Sequence, residues 1–180
     1  LCEKNAPDLI GLPTTALSEA QGSDVRLALQ RFRQDYPDYA AIPVIPVSTP
    51  DFSGCFESGY AAAVEAIIDT LVEPAAVAGT RPGRQPRQVN VLAGSLLTPG
   101  DVETLKALLQ QFDLEPLVLP DLAESLDGHL IEADFSPLSI GGIKAAAIPT
   151  LGNSAATLVI GGSLEAAADR LQQRTGVPDY

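Results

Sequence analysis

Short apolar runs alternating with amphipathic helical segments predict an α/β protein with Rossmann-like parallel sheets flanked by helices, arranged in two lobes. Two observations carry this prediction. The runs DLIGL (8–12), IPVIPV (42–47), VNVLA (89–93), PLVLP (116–120) and ATLVIG (156–161) lack alternation, as strands buried on both faces do. Between them, apolar residues recur at helical spacing: Val25, Leu29 and Phe32; Tyr60, Val64, Ile67, Ile68 and Leu71; Val102, Leu105, Leu108, Leu109 and Phe112; Leu164, Ala168 and Leu171.

In chain order, LCEKNAPDLIGL enters the first buried strand almost at once, and PTTALSEAQGSD then reads as the loop to the first helix. After the strand at 42–47, STPDFSGCFESG forms a Gly- and Ser-rich turn before a long apolar helix. The segment 74–87, PAAVAGTRPGRQPR, has no periodicity and reads as a linker. It divides residues 1–73, the C-terminal part of a first Rossmann-like domain, from residues 88–180, a second Rossmann-like domain that need not be complete. In TPGD, Thr98 is a natural helix cap, Pro99 suits the first turn, and Asp101 meets the positive end of the helix dipole. Residues 121–150 read as a long loop followed by a weak helix start at GGIKAAAI. Ser163 is expected to cap the last helix, and Gly176 and Pro178 to end it. The start at Leu1 and the absence of Met read as a piece of a longer polypeptide.

A net charge of −12 repels a phosphate backbone, and the spread set Arg81, Arg84 and Arg87 does not offset it, so nucleic acid is excluded as a partner. No apolar run spans a bilayer and no secretory leader is present, so the expected location is cytoplasmic, with no membrane association. Cys2 and Cys55 are then read as separate thiols.

In parallel α/β sheets, ligands gather beyond the carboxyl ends of the strands. The loops after 8–12 and 42–47 leave the same edge, which brings Thr14, Thr15, Ser18, Glu19, Ser53 and Cys55 into range of one another. Cys55 stands at a helix N-terminus, where free amides and the dipole favour a thiolate. No histidine in the same lobe can serve it as a base, and a metal centre normally needs four donors, so Cys55 is either a structural cysteine or part of a site completed elsewhere. His129 follows a turn dipeptide and reads as a solvated loop residue. GSLLTPGD and IGGSLE resemble phosphate loops only weakly, because acids stand at the helix starts. A free-standing Rossmann-like enzyme binding a nucleotide or small molecule between the lobes is the alternative reading.

The strings DLIGLPTTALSEAQGSDV, IPVIPVSTPDFSGCFESGYAAAVEAIIDTLV, RQVNVLAGSLLTPGDVETLK and LPDLAESLDGHL resemble the nitrogenase component 1 family, at the right mutual distances and through essentially the whole chain. Closest are the β-type subunits of the scaffold on which the iron-molybdenum cofactor is assembled. The resemblance implies an assembly subunit rather than an independent enzyme. It also implies an α-type partner subunit in a heterotetramer, served by the nitrogenase iron protein. The implied cofactor is an iron–sulfur cluster shared with the partner subunit, with none held by residues 1–180 alone. In the catalytic β subunits of this family a cluster cysteine stands at the place of Ala16, so that ligand is missing here. A serine near the cluster stands at the place of Cys55, which makes Cys55, with Ser53, Thr14 and Thr15, a cluster-adjacent wall. The β-type subunit's own ligand would come from a cysteine upstream of Leu1.

Overall fold

The computed structural model describes residues 2–123 and 141–180. It opens with a short helix, α1 (Cys2–Asn5), ahead of strand β1 (Ile10–Pro13), so the chain does not enter the sheet directly. Helices α2 (Ala16–Ala20) and α3 (Val25–Asp35) follow, then β2 (Val44–Val47) and the long α4 (Phe56–Leu71). The second half runs α5 (Ala75–Ala78), β3 (Gln85–Ala93), α6 (Pro99–Gln111), β4 (Glu115–Leu119), a 3₁₀ segment (Ala145–Asn153), β5 (Ser154–Ile160) and α7 (Glu165–Thr175).

All five apolar runs are strands, and every pairing between them is parallel. Strands β1 and β2 form one pair, with Ile10 opposite Val44 and Pro13 opposite Val47. The other sheet has the order β4-β3-β5. Its central strand shows why VNVLA lacks alternation: Val91 and Ala93 face the α6 layer with Val102 and Leu109, while Leu92 faces the opposite layer. Both faces are covered, so every position must be apolar or internally bonded. Asn90 and Gln88 are the polar exceptions. Asn90 donates to the Leu151 carbonyl and to Thr157 Oγ1, and Gln88 donates to the Thr150 carbonyl and to Ser154 Oγ, which ties the 3₁₀ segment to the sheet. At the carboxyl end of this sheet a Cβ on Gly94 would lie 2.5 Å from the Ile160 carbonyl oxygen, so only glycine lets β3 and β5 approach there.

Helix α4 ends the first half of the chain but is built into the second. Its buried Ala61, Val64 and Ile68 share one core with Leu92, Leu119, Ile148, Leu151 and the α7 residues Ala168 and Leu171.

Five local expectations are corrected. Strand β1 is not buried on both faces: Gly11, Leu12 and Pro13 are exposed, because α4 packs chiefly over its neighbour β2 rather than over β1. The loop PTTALSEAQGSD contains α2, since Thr15 supplies a cap. Segment 74–87 is not featureless; it holds α5 and the first residues of β3, and Arg87 pairs with Asp113 (2.6 Å) and Glu115 (3.6 Å) across to β4. The weak helix start at GGIKAAAI becomes the 3₁₀ segment, in which Pro149 withholds an amide donor. Ser163 does not cap α7: a 3₁₀ turn closed by the Leu164 amide on the Gly161 carbonyl comes first, Leu164 holds the cap position, and Ser163 Oγ is buried without a partner. The other punctuation holds. Thr98 caps α6 with reciprocal bonds to Asp101, and Gly176 ends α7 in the left-handed conformation.

Candidate functional site

Because β1 and β2 run parallel, the loops that follow them leave one edge together, and side chains join them there. The Thr14 hydroxyl donates to Glu19 Oε1 at 2.6 Å and accepts the Thr49 amide at 3.1 Å. Ser48 donates its hydroxyl to the same Glu19 oxygen at 2.7 Å, and Thr49 Oγ1 donates to the Thr14 carbonyl at 3.0 Å. These donors, Thr14 first and Ser48 second, hold the Glu19 carboxyl below the usual glutamate range. Thr15 and Ser18 are occupied differently: the Thr15 hydroxyl accepts the Ser18 amide and Ser18 Oγ accepts the Thr15 amide, a reciprocal cap on α2.

Cys55 is the cap residue of α4, exposed at its first turn. Ser58, three residues on, accepts the Cys55 amide at 2.8 Å and donates to the Cys55 carbonyl at 2.9 Å through the same hydroxyl. The Ser58 amide, the Ser58 hydroxyl and the Glu57 amide lower the thiol below its ordinary value, in that order, while the Glu57 charge opposes them. Gly54 reaches this turn at φ +77°, and a Cβ there would fall 2.5 Å from Ser58 Oγ, so the approach to the cap requires glycine.

A hollow of about 340 Å³ opens at this edge, lined by Ser48, Thr49, Asp51, Ser53, Cys55 and Ser58 among others. Thr14 and Glu19 stand behind it through their bonds to Ser48 and Thr49. Ser53 and Cys55 thus share a wall, Thr14 supports that wall, and Thr15 is engaged in its own helix cap. Ser48, Thr49 and Ser58 belong to the site although the sequence reading did not single them out. Their signals are present in the sequence: hydroxyl residues at the carboxyl end of a strand, and a serine three places after a helix cap.

Two exposed aromatic residues flank the hollow in sequence, Phe52 at 69% and Phe56 at 77% exposure. Among the described residues no group of three or more His, Cys, Asp or Glu side chains could hold a metal ion, and both cysteines are free. Glu19 Oε1 already accepts two hydroxyls. The donor set here is therefore one thiol, which fits a single contribution to a shared centre and does not fit a self-contained cluster. His129 lies outside the described residues. Arg81 and Arg84 are exposed in the turn before β3.

The family model described as nitrogenase component 1 type oxidoreductase matches residues 1–180. The chain belongs to the nitrogenase component 1 family. Within it, the chain is 43% identical over 174 residues to the "Nitrogenase iron-molybdenum cofactor biosynthesis protein NifN" of Klebsiella pneumoniae, covering 97% of this chain and 37% of that protein. It is 41% identical over 178 residues to the protein of the same name from Bradyrhizobium diazoefficiens, covering 99% of this chain and 37% of that protein. A solved structure titled "Nitrogenase Cp1 at pH 6.5" superposes with a TM-score of 0.86 at 27% identity, over 99% of this chain and 37% of that one. The chain thus spans little more than a third of the relatives it matches, and its parallel sheets flanked by helices are the α/β fold of the family.

Proposed function

We propose that the full polypeptide is a β-type subunit of the scaffold on which the nitrogenase iron-molybdenum cofactor precursor is matured, and that residues 1–180 contribute a wall to an iron–sulfur site completed by a partner. The observation that carries this reading is the Cys55 hollow, which has one lowered thiol and no further thiol or imidazole among its lining residues. Its similarity to NifN proteins over nearly its whole length supports the same role. The partner is an α-type, NifE-like subunit in a heterotetramer, with the nitrogenase iron protein as a transient partner, in the cytoplasm. Phe52 and Phe56 suit the buried core of such an interface, because large exposed rings beside a polar hollow lose water only when another surface covers them.

Anaerobic co-production of the full-length polypeptide with its α-type partner, followed by iron analysis and EPR of wild type and Cys55→Ala, tests this. A changed cluster signal in the variant, at unchanged assembly, is the expected result. Stoichiometric iron bound by this chain without a partner would overturn the shared-site reading.

A further inference from the structure

We propose that Glu19 is the positioning residue of this rim: it holds the loops after β1 and β2 together and thereby fixes the α4 start that carries Cys55. The proposal rests on the reading of that hollow as the functional face, and adds the residue that shapes it before any partner arrives.

Glu19 and Ser48 are 29 positions apart, and a single carboxylate oxygen draws the hydroxyls of Thr14 and Ser48 onto one point. Thr14 passes the constraint on, accepting the Thr49 amide and receiving the Thr49 hydroxyl on its carbonyl. Thr49 in turn sets its Cγ2 methyl against α4, 4.0 Å from where a Cβ on Gly59 would stand, and the Gly59 amide bonds the Cys55 carbonyl. Hydrogen bonds therefore tie α2 to Ser48 and Thr49, the first residues of the loop that leads to the thiol. Glu19 makes no ion pair with any described cation, so its carboxylate is free to serve hydroxyl donors alone.

The test uses the full-length protein with its partner, reading hydrogen exchange over residues 48–55 by mass spectrometry. Glu19→Ala is expected to raise exchange there about tenfold, the change in an opening equilibrium when one net hydrogen bond is lost, whereas Glu19→Gln, which keeps a carbonyl acceptor, stays within about twofold of wild type. Ser48→Ala, outside α2 and mild in effect on folding, is expected to reproduce part of the increase. Native-like exchange at 48–55 in Glu19→Ala or Ser48→Ala, or a Gln variant as loose as the Ala variant, would overturn the proposal. Hydrogen exchange does not read iron, so a failed clamp leaves the shared-cluster reading standing, and an unaltered EPR signal in Cys55→Ala leaves the clamp standing.

Discussion

Tyr60 on α4 donates its hydroxyl to the carbonyl of Ala93, the last residue of β3, at 2.9 Å, and so joins the helix after one sheet to the central strand of the other. Tyr60→Phe removes that donor and leaves the ring in place. The expected cost is about 1 kcal/mol of unfolding free energy, read as a lower denaturant midpoint at unchanged slope.

Ile68 is fully buried in the same helix, in a core shared with Leu92, Leu151 and Leu171. Ile68→Ala leaves a cavity there and should cost about 3 kcal/mol. Amides of β3 and β5 should lose exchange protection together with those of α4, because one core serves all three.

Arg174 closes the carboxyl end of α4 from α7. Its Nε donates to the Val72 carbonyl at 2.6 Å, Nη1 to Asp69 Oδ1 at 3.1 Å, and Nη2 to the Asp69 carbonyl at 3.1 Å. Arg174→Ala is expected to cost about 2 kcal/mol through the lost bonds to helix-end carbonyls. Arg174→Lys should restore only part of this, since one ammonium cannot reproduce a planar fork on three oxygens, and thermal unfolding of the pair of variants checks the order.

Cys55 should be alkylated with a pH midpoint below that of a free cysteine. Ser58→Ala moves the midpoint upward but not to the ordinary value, because the Ser58 and Glu57 amides remain. The sign follows from linkage: the folded state favours the thiolate, so its contribution is present above the unfolded thiol's value and is lost as pH falls through the lowered folded one.

Thr98→Ala removes the cap of α6 and is expected to cost about 1 kcal/mol. The Thr98 hydroxyl and amide hold the Asp101 carboxyl below the usual aspartate range. Its stabilising effect is complete above the unfolded value and disappears as pH falls through the folded one, so Asp101→Asn should flatten that part of the acid limb in a pH series of unfolding midpoints.

Strand and helix identities were legible because burial on two faces leaves an imprint that one residue type after another must obey, as at Val89 to Ala93. The thiol position was legible because a cysteine, a glycine and a serine cluster at a helix start. The clamp was not: nothing in the spacing of Thr14, Glu19, Ser48 and Thr49 says that one carboxylate oxygen will collect two hydroxyls, one of them from a residue 29 positions away. Ser163 misled for a related reason, since a preference for capping is overruled when a 3₁₀ turn moves the helix start by one residue. The role of α4 was hidden as well, because an apolar stripe reports that a helix is buried and not which sheet buries it.

The sharing of α4 has a consequence for proteolysis. A protease that cuts the exposed turn at 81–84 would sever the chain without separating its halves: the amino-terminal piece would keep α4 seated on Leu92 and Leu171, and the carboxyl-terminal piece would still grip Asp69 through Arg174. The nicked molecule should migrate as one species on a sizing column and as two bands only after denaturation.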